Sequence, residues 1–328
     1  MHHRTCIGVI RGGPSNEYEV SLQTGAIVLS ALRDKMSDKY HVKDIFIDRD
    51  GYWHVDGILV DPVDILSKVD VIFNALHGPY GEDGRIQTFF ETHGKPFTGS
   101  GSLGSSIGMN KVLSKKVFKD HGIKTPHHTI VTKNEIENNL DAVVKKLFHS
   151  FLLPAVVKPA SSGSSVGVSI VNYYKDLPEA LKKSAIHSDV VLIEEMIKGI
   201  EATCAVLDNF RDQELYALPP VEIRTANSFF DYEAKYEGQS QEIVPATFSH
   251  KIKEEISELA RKIHRALGLR HYSRSDFIIH PRRGIYALEV NTLPGLTKES
   301  LLPKSLRAVG SDIHEFVDHV IQLAMNRE

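Results

Sequence analysis

Short apolar runs alternate with helical patterns over the first hundred residues. The apolar runs predict strands at residues 6–10, 42–48 and 69–76, and the helical periodicity predicts helices at 16–35 and 85–93. Strands that alternate with helices in this way are typical of a parallel sheet covered by helices. We therefore expect an open, mostly parallel α/β sheet that extends to about Gly104.

From Ser105 onward, β-rich runs dominate and are separated by amphipathic helices. Two of these runs, at 155–160 and 166–171, flank a Gly/Ser loop and predict a hairpin. Further strands are predicted at 128–132, 190–195, 201–207 and 277–280, and helices at 111–121, 251–267 and 313–324. The change of pattern thus predicts an N-terminal α/β domain at 1–104 and a second, α+β part that begins at Ser105.

Composition narrows the possible partners and the compartment. The chain has 328 residues, which fits two or three domains, and its net charge of −3 gives no reason to expect nucleic acid or an anionic membrane as partner. The two cysteines form no C-x-x-C motif, so we expect a reducing compartment and no disulfide. No apolar stretch reaches about 18 residues and no signal-peptide pattern is present, which predicts a cytoplasmic protein.

Three oxygen-bearing side chains predict a metal site. Glu289 and Asn291 lie two positions apart after an apolar strand-like run, so their side chains project to the same face, and Asp276 lies upstream of them. An all-oxygen set without a neighbouring Cys or His suits Mg²⁺, with Mn²⁺ as an alternative, completed by nucleotide phosphates. The pattern indicates an ATP-dependent enzyme, whereas an isolated E-x-N would indicate a solvated strand end.

The Gly/Ser loop at 161–165 is the second chemical signal. Backbone N–H groups and hydroxyls in such a loop can bind phosphates, and Lys158 on the incoming strand adds a positive charge. A flexible surface hairpin is the alternative for the loop alone. Lys158 favours the phosphate interpretation, because a lysine within an apolar strand is costly to bury without an anionic partner.

Other polar residues stand at predicted strand ends. Glu17 and His77 follow strands of the N-terminal sheet, at the carboxyl edge where ligands bind in open α/β sheets. The strand-like segment 191–197 carries two carboxylates, and its backbone is a candidate for adenine recognition, with Glu201 positioned for ribose hydroxyls. The alternative for this segment is an ordinary strand with solvated acids.

Several motifs in one order resemble those of the D-alanine–D-alanine ligases of the ATP-grasp superfamily. They are GGPSNEYEVS at 12–21, ALHGPYGEDG at 75–84, Lys158-Pro159 with GSSVG at 163–167, YEAKY at 232–236, and EVNTLPGLT at 289–297 with Ser300-Leu301. The resemblance covers essentially the whole chain. It implies an N-terminal open parallel α/β sheet (1–104) followed by an ATP-grasp fold of two α+β subdomains (105–189 and 190–328). It also implies a role in peptidoglycan precursor synthesis and a homodimer.

The resemblance also implies residue roles, each by position in a matching motif. At the two D-alanine substrates it implies Glu17, His77, Ser300 and Leu301, and at the oxyanion Arg274 and the Gly295 N–H, with Ser164 and Tyr236 linking loops over the site. At ATP it implies Lys111, Lys158, Ser165 and Lys235 for phosphates, and Glu194, Glu195, Ile197 and Glu201 for adenine and ribose. Asp276, Glu289 and Asn291 would bind Mg²⁺. These roles predict that ATP converts a carboxylate to an acyl phosphate, which an amine then attacks.

The chain departs from the family pattern at a few positions. Asn110 stands where an acid is more frequent, Glu195 stands where Lys is frequent, and residues 160–162 lack an Arg or Glu often found before the glycine. The groups expected to be essential are still present. Only the side-chain part of adenine recognition is affected by Glu195, because the backbone there is unchanged.

Three other functions compete with the dipeptide ligase. A D-Ala–D-lactate or D-Ala–D-serine ligase is the nearest, and Tyr236 after Lys235 favours the dipeptide. An ATP-sensing module without catalysis is opposed by the complete set of metal and oxyanion residues. A nicotinamide-dependent oxidoreductase would rest on G-x-G-x-x-G at 99–104, which we interpret as a domain-joining loop because it does not follow the first strand of a βαβ unit.

Overall fold

A computed structural model of the chain describes residues 4–163, 166–225 and 240–326. The first strands are β1 (Thr5–Gly12), β2 (Tyr40–Ile47), β3 (Trp53–Val55), β4 (Ile58–Leu59) and β5 (Val71–Asn74). The first helices are α1 (Tyr18–Lys35), α2 (Pro62–Ser67) and α3 (Arg85–Thr92). The sheet order is β4-β3-β2-β1-β5, with β1 parallel to β2 and β5 and with β3 and β4 antiparallel at one edge. The predicted α/β sheet is confirmed, although its two short edge strands carried no clear sequence signal.

The middle of the chain forms a second, antiparallel sheet. Its elements are α4 (Ser102–Met109), α5 (Lys111–Asp120), β6 (His128–Thr132), α6 (Lys133–Ser150), β7 (Ala155–Pro159), β8 (Ser169–Val171), α7 (Leu177–Ala185) and β9 (Val190–Glu195). The strand order is β6-β9-β7-β8. Strands β7 and β8 pair antiparallel, so the predicted hairpin is confirmed.

The interpretation of residues 99–104 as a joining loop is wrong from Ser102 onward, because α4 begins there. The first turn of α4 is stabilised by a side chain from α3. The Glu91 carboxylate accepts hydrogen bonds from the backbone N–H of Ser102 at 2.9 Å and from its hydroxyl at 2.5 Å. A helix start that depends on a distant side chain leaves no local cap signal in the sequence.

The C-terminal part contains the third sheet. Its elements are β10 (Ile200–Phe210), β11 (Gln213–Ala217), β12 (Val221–Thr225), β13 (Ser240–Ile243), α8 (His250–Ala266), β14 (Tyr272–His280), β15 (Gly284–Asn291), α9 (Leu301–Ala308) and α10 (Ile313–Met325). The order is β13-β12-β10-β14-β15, with β11 also paired to β10. All of these pairings are antiparallel.

One hydrophobic core spans two of the predicted domains. Val9 and Phe73 of the N-terminal sheet share one core cluster with Phe316 and Val320 of α10. The N-terminal sheet therefore buries one face against the end of the chain. Because β9 pairs with β6 and β7, we propose that the boundary between the two subdomains lies after β9 rather than before it.

Within the described ranges, none of the helices combines the length and apolarity that crossing a bilayer would require.

Candidate active site

A cavity of about 1190 Å³ is lined by residues of the second and third sheets, by the start of α1 and by the loop after β5. Every predicted site residue within the described ranges lines it: Glu17, His77, Lys111, Lys158, Glu194, Glu195, Ile197, Glu201, Arg274, Asp276, Glu289, Asn291, Gly295, Ser300 and Leu301. The remaining predicted residues, Ser164, Ser165, Lys235 and Tyr236, lie outside the described residues. The fold thus places residues that are far apart in the sequence around one cavity.

Asp276, Glu289 and Asn291 form what we call the carboxylate edge. Asp276 on β14 is the register partner of Glu289 on β15, and Arg274 is the partner of Asn291. Directly opposed residues of an antiparallel pair project to the same face. Arg274 forms two hydrogen bonds to the Asp276 carboxylate, at 2.9 and 3.0 Å. Although burial opposes its charge, the neighbouring Asp276 carboxylate helps to raise the pKa of Arg274.

The donor set of the carboxylate edge fits a magnesium ion. It offers two carboxylates and one amide, and the Glu289 side chain is 35% exposed to the cavity. Mg²⁺ prefers oxygen ligands and commonly takes one or two protein carboxylates, with the remaining positions filled by water and phosphate. Within the described residues no group of three or more His, Cys, Asp or Glu side chains could hold a metal, so Asn291 is needed to complete this set.

Lys111 connects the carboxylate edge to the loop of the β7–β8 hairpin. Its Nζ lies 3.2 Å from Glu289 Oε2 and donates a hydrogen bond to the carbonyl of Ser162 at 2.8 Å. Lys111 is the first residue of α5, whose N-cap is Asn110, with its side-chain oxygen accepting from Val112 N at 3.0 Å. Asn caps a helix as well as Asp does, so the departure at Asn110 leaves Lys111 in place.

Lys115, Glu194 and Lys158 form a second charged group, which we call the lysine–glutamate triad. Lys115 Nζ lies 2.7 Å from Glu194 Oε1, and Lys158 Nζ lies 2.8 Å from Glu194 Oε2. All three side chains are almost completely buried. Lys158 was predicted to need an anionic partner, and Glu194 on the adjacent strand β9 is that partner.

The triad keeps its charges despite burial. Burial raises the pKa of a carboxylic acid, yet the two lysines hold the pKa of Glu194 below its usual value. Burial also opposes the charge of Lys158, but the Glu194 and Glu289 carboxylates keep its pKa above the ordinary value. For Lys115 burial is the larger effect and lowers its pKa to about 8. Each of these three groups is therefore mainly ionised at neutral pH.

Glu17 and His77 line the cavity from the N-terminal part of the chain. The hairpin reaches Glu17, because a Cβ placed on Gly163 would stand only 2.7 Å from Glu17 Oε1. His77 Nε2 lies 2.8 Å from Thr24 Oγ1, and its Nδ1 lies 3.7 Å from Glu82 Oε1. Buried polar partners on both ring nitrogens fix the orientation of the imidazole.

The start of α9 faces the cavity beside Gly295. Ser300 is the N-cap residue of this helix, and its hydroxyl hydrogen-bonds the Thr297 hydroxyl at 2.8 Å rather than the helix backbone. A Cβ on Gly295 would stand 3.0 Å from Ser300 Oγ, so glycine permits this close approach. The first N–H groups of a helix favour an anionic group, which matches a substrate carboxylate.

Apolar side chains line the part of the cavity nearest to β9. Ile197 and Ile278 belong to a small hydrophobic cluster against which Leu288 packs. A flat heterocyclic ring fits such a surface, with the backbone of the segment after β9 alongside. The Glu195 carboxylate is held by Arg283 Nη2 at 2.9 Å and by the backbone N–H of His127 at 3.0 Å.

Two buried residues near the site were missed by the sequence analysis. Lys115 is a member of the triad, and Glu82 accepts hydrogen bonds from Gly78 N at 2.8 Å and from Leu293 N at 3.3 Å. Glu82 therefore ties the loop after β5 to the segment that follows β15. A signal for Lys115 was available, because it lies four positions after Lys111 and so on the same face of α5.

The chain is similar to known ligases over nearly its whole length. Family models described as the D-ala D-ala ligase C-terminus and N-terminus match residues 117–322 and 60–100. A D-alanine--D-alanine ligase from Carboxydothermus hydrogenoformans is 38% identical over 323 residues, which cover 97% of this chain and 98% of that protein. The chain belongs to the D-alanine–D-alanine ligase family. Another ligase of this name, from Desulforamulus reducens, is 39% identical and covers 98% of this chain and 99% of its own.

Solved structures with the same fold include enzymes with different named products. The VanG D-Ala:D-Ser ligase from Enterococcus faecalis matches with a TM-score of 0.85 and 31% identity, covering 98% of this chain and 100% of that chain. The D-alanine--D-alanine ligase from Bacillus anthracis matches with a TM-score of 0.80 and 37% identity, covering 98% and 97%. These ligase structures confirm the predicted fold class and enzyme family of the present chain.

Proposed function

We propose that this ligase joins two D-alanine molecules into D-alanyl-D-alanine and converts ATP to ADP and phosphate. The observation that carries the proposal is the single cavity that contains the predicted residues for a nucleotide, a metal and two small substrates. Membership of the D-alanine–D-alanine ligase family supports the reaction and its role in peptidoglycan precursor synthesis. Mg²⁺ as the metal, a cytoplasmic location and a homodimer are further parts of this proposal.

In the first step, a carboxylate oxygen of one D-alanine attacks the γ-phosphorus of ATP and ADP leaves. Lys111 and Lys158 bind the phosphates, and Glu17 binds the ammonium of the first D-alanine with His77 nearby. Asp276, Glu289 and Asn291 would hold Mg²⁺, which supplies positive charge for a phosphoryl group passing between anions. Ile197 and Glu201 contact the adenine and the ribose.

In the second step, the amine of the other D-alanine attacks the acyl carbon and loses a proton, and phosphate leaves. The Ser300 hydroxyl and the N-terminal N–H groups of α9, including that of Leu301, bind the carboxylate of this second substrate. Arg274 and the Gly295 N–H stabilise the oxyanion of the tetrahedral intermediate. Exclusion of water is essential, because water would otherwise hydrolyse the acyl phosphate.

A D-alanyl-D-serine product is the second candidate. It is favoured by the match to a solved D-Ala:D-Ser ligase over nearly the full length of this chain. The two products differ only in a hydroxyl of the second residue, so the overall chemistry is the same for both.

One experiment separates these candidates. The purified protein is incubated with ATP, MgCl₂ and D-alanine, alone or with equal D-serine or D-lactate, and the products are identified by mass. We expect D-alanyl-D-alanine as the main product in each mixture, phosphate release with D-alanine, and none with L-alanine. A mixed D-Ala–D-Ser product as the main species would replace the proposed substrate, and no D-alanine-dependent phosphate release would overturn the proposed function.

A further inference from the structure

One lysine of the triad, Lys115, does not line the cavity. Lys158 and Glu194 line the cavity, whereas Lys115 does not line it and is completely buried behind them. Lys115 Nζ is held at 2.7 Å from both Glu194 Oε1 and the Thr125 hydroxyl. Lys115 therefore does not reach the cavity itself and contacts the cavity lining through Glu194.

The charges of the triad do not cancel. Two ammonium groups share one carboxylate, with one oxygen assigned to each lysine. Without Lys115, Glu194 and Lys158 would form a neutral pair and the charge of Lys158 would be compensated. With Lys115 present, a net positive charge remains in a region of low dielectric, where its effect on a nearby anion is strong.

We propose that Lys115 is a positioning residue that makes the charge of Lys158 available to the nucleotide phosphates, by holding and neutralising one half of the Glu194 carboxylate from behind the cavity wall. This inference rests on the proposed use of ATP. The effect depends on the phosphates of the ligand and not on the adenine ring. A purely structural role for Lys115 would affect every ligand of this pocket alike.

The test compares ATP with adenosine, which lacks the phosphates. The dissociation constants of both ligands are measured by calorimetry in the presence of MgCl₂. The constant for adenosine divided by the constant for ATP gives a ratio that reports the phosphate contribution, and this ratio falls when the phosphates are bound less tightly. We expect Lys115→Met to weaken ATP binding by roughly tenfold, the scale of one partly screened charge interaction in a protein, with adenosine binding nearly unchanged. Lys115→Arg, which keeps the charge, should largely restore the ratio.

A matched control is available on the same helix. Lys116 is the next residue, its side chain is 71% exposed, and it pairs with Asp120 four positions on. Lys116→Met changes the net charge of the protein by the same amount, so it should leave the ratio unchanged. If it lowered the ratio as much as Lys115→Met, the effect would be one of overall charge and the proposal would be wrong.

The double variant Lys115→Met/Glu194→Gln covers the case in which Lys115→Met does not fold. It removes both charges of one buried pair, which is far better tolerated than removing one, and it leaves Lys158 as the remaining charge of the triad. The ratio for this variant should return close to that of the wild type. A ratio that stays low in the double variant would overturn the proposal, and so would a ratio that is unchanged in Lys115→Met. In either case, ATP binding by the wild-type protein would leave the proposed function standing. Absence of ATP binding by the wild type would overturn both.

Discussion

Two charged groups meet at the same cavity and differ in how far water and ligands can reach them. In the lysine–glutamate triad the side chains of Lys115 and Glu194 are 0% and 3% exposed, and one carboxylate serves two cations. At the carboxylate edge the side chains of Asp276 and Glu289 are 23% and 35% exposed, and they form ion pairs with Arg274 and Lys111, which also line the cavity. The triad is therefore fixed before a ligand arrives, whereas the carboxylate edge can exchange its present partners for a metal.

This difference in exposure predicts which substitutions reduce the stability of the fold and which reduce enzyme turnover. A buried charge that loses its partner destabilises the fold, because the remaining charge cannot be solvated. A carboxylate open to the cavity can lose its charge at little cost to folding, because water reaches it. Substitutions in the triad should therefore act first on stability, and substitutions at the carboxylate edge should act first on turnover.

The largest effect is expected for Glu194→Gln. It removes the charged carboxylate that both Lys115 and Lys158 contact, so the free energy of unfolding should fall by about 3–5 kcal/mol, the usual cost of breaking a buried ion pair. Urea unfolding of the ligand-free protein measures this change. Glu258→Gln is the control, because Glu258 pairs with Arg261 on the surface of α8, and it should leave the unfolding midpoint unchanged. A stable Glu194→Gln variant would show that the triad is not held together by charge.

The next effect concerns Arg274→Met, which removes a cation beside the proposed oxyanion. Turnover should fall by roughly 100- to 1,000-fold, the scale seen when one oxyanion donor is lost. The dissociation constant for ATP should change much less, and calorimetry measures it separately from turnover. Collapse of ATP binding with normal turnover at saturation would make Arg274 a nucleotide residue instead.

Glu289→Gln should have a smaller but selective effect. The substitution is nearly isosteric and removes one charge from the proposed metal site. The Mg²⁺ concentration needed for half-maximal activity should therefore rise at least roughly 10-fold, because loss of even an outer-shell partner of a metal ligand costs about 10- to 100-fold in metal affinity. The unfolding midpoint without metal should stay close to the wild-type value. Near-wild-type turnover at limiting Mg²⁺ would refute the metal assignment.

The smallest effect is expected for cysteine labelling. The two cysteines report the same difference in stability between triad and carboxylate-edge variants. Burial raises the pKa of Cys204 to about 12, so its thiol should resist iodoacetamide at pH 8 while the protein is folded, and Cys6, which is partly exposed, should react faster. Mass spectrometry of labelled peptides measures both rates. Labelling of Cys204 should be faster in Glu194→Gln than in Glu289→Gln. Equal rates in the two variants would contradict the proposed difference in stability.

Much of the fold was predictable, because local periodicity marks the central strands and the amphipathic helices. The strands β1, β7 and β9 and the helix α8 lie within a few residues of their predicted bounds. Very short elements were not predicted, such as β4, a strand of two residues whose Ile58 and Leu59 are exposed. Helix α6 also escaped prediction, although Thr132 and Glu135 form a capping box at its start.

The motifs predicted which residues line the cavity, but they did not predict which charged side chains pair with each other there. Lys158 was expected to need an anion, yet the identity of that anion depends on the pairing of β7 with β9, where Val156 rather than Lys158 is the register partner of Glu194. Lys115 stands among several lysines of α5, and composition alone does not separate a buried lysine from a solvated one. Tertiary packing decides both cases.

The central claim is that this cavity activates a D-alanine carboxylate by phosphorylation. The most direct test uses D-alanine labelled with ¹⁸O in its carboxylate, incubated with ATP and MgCl₂, followed by mass analysis of the phosphate and the dipeptide. We expect the released phosphate to carry one ¹⁸O atom for each dipeptide formed, with ADP as the nucleotide product. Dipeptide formation with unlabelled phosphate, or with AMP as the nucleotide product, would contradict the acyl-phosphate mechanism.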